Sequence, residues 1–239
     1  MAGRALPPTS PFAGDDGSPD PALAQALAGH PPGSVAGADV VAALAGARVL
    51  VPVLAELEAG GTTADGLHVD KEASAGVVAL RTADGRTALP VFSGTAAMAA
   101  WRGDARPVPA SAARAAAACL EEGWDVLVLD PGGPVTAVVP APAVRALAHG
   151  AAWTPAVVDG DVRPELTGGV RAALAGLAHV TGADVVPGRG AEVAVVLQVR
   201  PGLDRTGLDA VLQQVGRALA GTALAAEADS LELRVVPAR

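Results

Sequence analysis

The chain has 239 residues and a formal net charge of −8, and this length suits one large domain or two smaller ones. Its 17 lysine and arginine residues are spread along the sequence, so we expect no binding to nucleic acid or to an anionic membrane surface, because both require clustered cations. Only 2% of the residues are aromatic although 51% are hydrophobic, which predicts a core of valine, leucine and alanine.

Residues 1–34 are predicted to form a disordered or weakly ordered tail. The first part, residues 1–20, is rich in proline, glycine, serine and aspartate, and it has too few large apolar side chains to offset the entropy lost on ordering. One short helix is expected after it, because Pro21 suits a helix start and Gly29 a helix end. The tail lacks the apolar segment of a signal peptide, and no later run is long enough to span a membrane. We therefore expect a cytoplasmic protein.

The middle of the chain alternates between helical and strand patterns. In chain order, the predicted elements are a helix from Asp39, a strand at 47–56, a polar loop at 58–74, a hairpin at Asp84-Gly85, helices capped by Ser93 and Ser111, strands on both sides of Asp130-Pro-Gly-Gly-Pro134, and a helix from Pro142. The hairpin is expected because Asp-Gly between apolar runs favours a tight turn. Serine suits a helix N-cap because its hydroxyl can accept a hydrogen bond from a free backbone N–H.

A boundary is predicted near residue 152, where turn residues replace the periodic pattern. Beyond it the sequence indicates a helix at 166–180, a connection at 181–190, a strand at 191–200, a helix at 204–221 and a strand at 230–238. The helix at 204–221 is the clearest, since its apolar residues recur at helical spacing. The predicted fold class is α+β: a mixed sheet with flanking helices at 35–152, and a smaller βαβ-like domain at 153–239.

Asp130-Pro-Gly-Gly-Pro134 is the stretch that most resembles a site. A phosphate-binding loop would present several backbone N–H groups at the start of a helix. Here a strand follows the glycines, and the two prolines donate no hydrogen bond. The sequence therefore favours a turn between two strands, in which Asp130 accepts hydrogen bonds from the turn backbone.

Four segments together resemble one protein family. They are LVPV at 50–53, LPVFSGTAAMAAW at 89–101, RPVPASAARAAAACLEEGWDVLVLDPGGP at 106–134, and PAVRALAHG at 142–150. In this order they resemble the SseB N-terminal domain family, over residues 40–150, and the elements after residue 190 are similar to the smaller C-terminal domain of some members. The resemblance implies a bacterial, cytoplasmic α+β protein with no established enzymatic activity. Relatives found in secretion or toxin-linked gene contexts suggest protein partners.

The favoured function is therefore a cytosolic, non-enzymatic protein-interaction or accessory module. Tryptophans at element ends are typical interface anchors, and the predicted binding residues are Trp101, Trp124, Leu89, Phe92, Arg106 and Asp130. We expect a protein partner, and the sequence also allows a homodimer. For these tryptophans, the competing interpretation is that they close the ends of an alanine-rich core.

The alternative function is amino-acid binding or sensing, which would fit the serine-sensitivity phenotype behind the family name. Such a site needs a cation for the carboxylate and an acid for the amine, which Arg102, Arg106, Arg145 and Asp130 could supply.

We expect no catalytic residue, no cofactor and no metal. The four histidines form no local pair, and Cys119 is expected to be a buried, unreactive thiol.

Overall fold

A computed structural model describes residues 11–54, the backbone of residues 68–70, and residues 77–238. The polar loop predicted at 58–74 lies outside these residues, apart from His68–Asp70, which form a strand. The chain divides into two compact units, residues 1–153 and 154–239.

The first unit combines helices with short strands. Its helices are α1 (Pro21–Ala28), α2 (Ala38–Gly46), α3 (Thr95–Trp101), α4 (Ala112–Glu121) and α5 (Ala141–Ala148). Its strands are β1 (Ser34–Val35), β2 (Arg48–Val53), β3 (His68–Asp70), β4 (Ala79–Arg81), β5 (Thr87–Val91), β6 (Arg106–Ser111), β7 (Val126–Leu129) and β8 (Ala137–Val139).

Six of these strands form one mixed sheet in the order β1-β8-β7-β5-β4-β3. The central strands β5 and β7 are parallel, as are β1 and β8, whereas the other pairs are antiparallel. Strands β2 and β6 form a separate antiparallel pair. The chain passes from β5 to β7 through α3, β6 and α4, a crossover that parallel neighbours require. The predicted α+β class with a mixed sheet is confirmed.

Both faces of the central sheet are covered. Successive side chains of a strand point to opposite faces. In β7, Leu127 and Leu129 belong to the main core, together with Cys119, whereas Val126 and Val128 belong to a second cluster on the other face. The continuous apolar run of β7 is what burial on both faces requires.

The described part of the predicted tail is an integral part of the first unit. Helix α1 is capped by Asp20, whose carboxylate accepts hydrogen bonds from the N–H groups of Ala22 and Leu23. Leu23 and Leu27, one helical turn apart, are buried in the main core. The helix lies where the sequence predicts a short one, and its two buried leucines offset the entropy of ordering it.

The second unit contains a three-stranded sheet and three helices among its described residues. Its elements are β9 (Val157–Val158), β10 (Asp161–Val162), α6 (Pro164–Leu174), β11 (Val180–Pro187), β12 (Val193–Val199), α7 (Arg205–Ala220), α8 (Ala223–Glu227) and β13 (Leu231–Pro237). Strand β12 is central, antiparallel to β11 and parallel to β13. The sequence β12-α7-β13 is the predicted βαβ arrangement, and α7 buries Val211, Val215 and Leu219 as its periodicity predicts.

Three local predictions are corrected. The segment predicted as a connection at 181–190 lies largely in β11, because it pairs along its length with β12. The sequence does not indicate strand β6, since Pro107 and Pro109 discourage a strand assignment. Both prolines are tolerated because, among the described residues, β6 pairs with β2 alone. The N-cap residue of α3 is Gly94, while the hydroxyl of Ser93 makes a different hydrogen bond.

Candidate functional site

The most polar buried feature of the first unit lies where the parallel strands β5 and β7 end. Asp130 follows β7 directly, and Ser93 lies two residues beyond β5. The Ser93 N–H donates to Oδ1 of Asp130 at 2.8 Å, and the Ser93 hydroxyl donates to Oδ2 at 2.6 Å. Both residues are buried. The two hydrogen bonds therefore occupy both carboxylate oxygens and join the ends of two neighbouring strands.

Burial and these hydrogen bonds have opposite effects on the pKa of Asp130. Burial raises the pKa of Asp130 above its ordinary value, although the two hydrogen bonds from Ser93 act in the opposite direction. A serine next to a carboxylate could suggest a nucleophile and its base. Nucleophilic serines are activated by a base that accepts the hydroxyl proton and is itself oriented by a third group. Here the Asp130 carboxylate also accepts a hydrogen bond from the Ser93 backbone N–H. This arrangement is typical of a structural link between two strand ends.

The N-terminal segment covers this pair. The Arg48 guanidinium donates from Nη1 to the Ser93 carbonyl at 2.9 Å, and its Nε lies 2.6 Å from Oδ2 of Asp15. The Thr95 N–H donates to the Gly17 carbonyl at 2.9 Å. A Cβ added at Gly94 would lie only 2.9 Å from that same carbonyl oxygen. The close approach requires glycine at this position and encloses the Ser93 backbone.

Asp130-Pro-Gly-Gly-Pro134 is a turn, as predicted, but the Asp130 carboxylate accepts its hydrogen bonds from Ser93 and not from the turn backbone. It connects β7 to β8, which pair in antiparallel register. The Asp130 carbonyl accepts hydrogen bonds from the Gly133 N–H at 3.0 Å and from the Thr136 hydroxyl at 2.9 Å. No helix starts at the glycines, so the phosphate-loop interpretation has no structural basis here.

Trp101 lies beside this turn. Its ring is half-buried, with its centroid 5.3 Å from that of Phe92 and a 39° angle between the two planes. On the turn side, a Cβ added at Gly132 would lie 3.6 Å from Cδ1 of Trp101. Gly132 has a φ of +72°, a backbone conformation that favours glycine. The indole is thus held by a buried ring and by the turn, while part of it stays exposed.

Four of the other predicted binding residues are buried, so they form no exposed face with Trp101. Leu89 and Phe92 are buried, and Trp124 is only 6% exposed, so these side chains contribute to the core, as the competing interpretation held. Leu89 and Trp124 belong to the main core, and Phe92 packs with Leu50 and Met98. Arg106 is exposed at the start of β6. Of the six predicted residues, Trp101 and Arg106 are the two whose side chains reach the surface.

The residues proposed for amino-acid recognition have other hydrogen-bond partners or lie in different elements. Both oxygens of Asp130 are bound by Ser93. The Arg102 guanidinium makes two hydrogen bonds to the Asp104 carboxylate, at 2.8 and 3.0 Å. Arg145 lies in α5 and Arg106 in β6. None of the three arginines is bonded to Asp130, the acid that the alternative function requires.

Cys119 behaves as predicted for a buried thiol. It donates to the Val126 carbonyl at 3.4 Å, and burial raises the pKa of its thiol to about 12.

Within the described residues there is no group of three or more histidine, cysteine, aspartate or glutamate side chains placed to hold a metal ion. Nor does this part of the chain contain a helix of the length and apolarity needed to cross a membrane.

One exposed apolar surface was missed by the sequence analysis. In β13, Leu231, Leu233 and Val235 are 36–43% exposed. They alternate with Glu232 and Arg234, so the three apolar side chains lie on one face of the strand. The alternation in LELRV was visible in the sequence, but it indicates only that a strand is buried on one face.

These features define a mixed-sheet α+β protein with a second, βαβ-containing unit. The family model of the SseB protein N-terminal domain matches residues 22–146, which is more than half of the chain. The chain therefore belongs to the SseB family. The matched segment starts earlier than the resemblance at 40–150 predicted, and it includes α1 from Ala22 onward. Comparison with the curated proteins and with the solved structures finds no match.

Proposed function

We propose that the protein is a cytoplasmic, non-enzymatic interaction module that binds a protein partner through the Trp101 surface. The proposed surface comprises Trp101 and Gly132, which lie side by side, together with Arg106 and Val108, two exposed residues of β6 in the same unit. The observation that carries the proposal is the exposed part of the half-buried Trp101 side chain, which is held between Phe92 and the turn at Gly132. The second unit is proposed to be the C-terminal domain that accompanies the matched domain in some family members.

A ring held in place before binding loses little conformational freedom when a partner covers it. Tryptophan and arginine are also the side chains most enriched among residues that dominate binding energy. Val108 adds an aliphatic side chain that is 45% exposed. The Ser93–Asp130 pair supports the non-enzymatic part of the proposal, because its groups satisfy one another and are enclosed.

The test is affinity capture from the lysate of the native cells, followed by binding measurements with the captured protein. We expect Trp101→Ala to weaken binding by about 30-fold, the loss that corresponds to an interface residue worth about 2 kcal/mol. Arg106→Ala should also weaken binding. Arg114→Ala is the matched control, because Arg114 is an exposed arginine on α4 of the same unit. Equal affinities of wild type and Trp101→Ala, both folded, would refute the proposal.

A thermal-shift screen addresses amino-acid binding. A ligand at 100 times its Kd adds about 2.7 kcal/mol of stability. We expect no shift with serine or other amino acids, because both oxygens of Asp130 are bound by Ser93. A clear shift would favour the sensing function over the interaction module.

A further inference from the structure

Strand β13 is an edge of the sheet in the second unit. In the order β11-β12-β13 it pairs with β12 alone, among the residues that the structure describes. Its free edge carries backbone N–H and C=O groups that can pair with another strand. Natural proteins protect such edges, often with charged side chains, whereas an edge strand that also exposes aliphatic side chains is a site for strand addition.

The hydrogen bonds to β12 determine which residues of β13 face outward. The Val193 N–H donates to the Ser230 carbonyl, and the Ala238 N–H donates to the Val199 carbonyl. Backbone groups of alternate residues in a strand point to opposite neighbours. Even-numbered residues of β13 therefore bond to β12, and the N–H and C=O groups of Leu231, Leu233 and Val235 point to the free edge.

The same three residues form the exposed aliphatic stripe. They are in register with Val193, Val195 and Leu197 of β12, which are buried in the core of the second unit. Register partners lie on the same face of a sheet. The stripe is therefore the outer border of that core face, left 36–43% exposed at the edge strand. A strand added beside β13 would extend this face.

We propose that β13 pairs with β13 of a second copy of this chain, in antiparallel register centred on Leu233. The sequence LELRV is self-complementary in that register. Leu233 stands opposite Leu233 of the second copy, and Leu231 stands opposite Val235. Glu232 stands opposite Arg234, and this oppositely charged pair occurs twice because the interface has twofold symmetry.

The backbone geometry fits this register. The facing residues Leu231, Leu233 and Val235 all direct their N–H and C=O groups outward, so each facing pair exchanges two hydrogen bonds. Glu232 and Arg234 then occupy a non-hydrogen-bonded pair, in which opposite side chains approach most closely. Pro237 has no N–H to donate and stands at the end of the ladder. The result is a continuous six-stranded sheet across two chains.

Charge identifies the occupant as a second copy. Within one chain, Glu232 and Arg234 already form an ion pair, and the Arg189 N–H donates to Glu232 Oε1 at 2.9 Å. Both side chains are partly exposed, so they can contact a strand beside them. A partner strand must place a cation beside Glu232 and an anion beside Arg234, at a spacing of two residues and with leucine between them. Strand β13 itself, reversed, meets all of these conditions.

The first test is the mass of the intact protein in solution, measured by sedimentation and light scattering over a dilution series. We expect a dimer of the 23.3 kDa chain that dissociates on dilution. Glu232→Arg and Arg234→Glu each place like charges opposite one another, and each should raise the dimer Kd at least about tenfold. The double variant Glu232→Arg/Arg234→Glu restores both pairs and should restore the wild-type Kd.

The second test uses cross-linking at the twofold axis. Opposed residues in a hydrogen-bonded pair have Cα atoms about 5.5 Å apart, within the range that a disulfide spans. Leu233→Cys should therefore form a disulfide-linked dimer on mild oxidation. Cys119 is buried, so the wild type should not cross-link. Val158→Cys, an exposed valine of the same unit, controls for random collision.

Several results would overturn the proposal. They are a monomer at every concentration, a double variant no tighter than the single ones, or cross-linking of Leu233→Cys no faster than of Val158→Cys. Thermal unfolding checks that each variant is folded. The proposal is independent of the Trp101 surface, because Trp101→Ala should leave the dimer Kd unchanged.

Discussion

Removing the Ser93 hydroxyl tests the link between the ends of β5 and β7. In Ser93→Ala, Oδ2 of the buried Asp130 loses its 2.6 Å hydrogen bond. A hydrogen bond to a charged buried group contributes about 2 kcal/mol, and the free energy of unfolding should fall by that amount. For a domain of this size the thermal midpoint should fall by about 4–8 °C.

The loss should depend on pH. Burial raises the pKa of Asp130 in the folded state, so the stability that Asp130 contributes is complete below about pH 3.9, the ordinary value for an unfolded aspartate. That contribution is lost as the pH rises through the folded pKa. The Ser93 hydrogen bonds lower this pKa, so removing the hydroxyl raises it further. Ser93→Ala should therefore cost more stability at pH 7 than near pH 4.

The assay is denaturant unfolding at both pH values, with two comparisons. Ser111→Ala is the matched control, because Ser111 is the exposed N-cap of α4; its cost of about 1 kcal/mol should not change with pH. In an Asp130→Asn background, Ser93→Ala should cost less than in the wild type, since the charge is gone. Equal costs in both backgrounds, and at both pH values, would refute this account of the pair.

Three further outcomes are expected. Cys119 should react with a thiol reagent only after unfolding, and rapid labelling of the folded protein would contradict this. Because burial raises the pKa of the Cys119 thiol to about 12, the free energy of unfolding should decline as the pH rises above the pKa of the thiol in the unfolded chain. Leu23→Ala should lower the free energy of unfolding by about 2–5 kcal/mol, measured by denaturant titration, whereas a weakly ordered tail would give no change. Gly132→Ala should cost about 1 kcal/mol because φ is positive there and should alter the Trp101 fluorescence; an unchanged spectrum and stability would show that the turn does not hold the indole.

The elements with local signals could be predicted from the sequence. The apolar stripe of α7 and the turn at Asp130-Pro-Gly-Gly-Pro134 each follow from residues adjacent in the chain. Strand β6 could not be predicted, because its prolines argue against a strand and only its pairing with β2 provides the hydrogen bonds. Strand β11 likewise depends on its pairing with β12, the next strand along the chain, because Gly182 and Asp184 weaken its own strand pattern.

The candidate site was predictable only in part. The sequence indicated the turn and Trp101, but it gave no information on which tryptophans are covered. Trp124 follows α4 with polar neighbours, as an exposed ring would, yet it is buried in the main core. The Ser93–Asp130 hydrogen bonds join residues 37 positions apart, and they depend on β5 and β7 being neighbours in the sheet. Local patterns contain no information about such a pairing.

The contact of the N-terminal segment with the Ser93 turn affects how the protein can be shortened. The family match starts at residue 22, and a fragment cut there would keep α1 from its second residue onward. It would lose Asp15, the ion-pair partner of Arg48, and Gly17, whose carbonyl accepts the Thr95 N–H. The start of α3 would then face water, and of the partners of Arg48 within the described part of the chain the Ser93 carbonyl would remain. The folding unit is thus longer than the matched segment, and its natural starting point lies before Asp15.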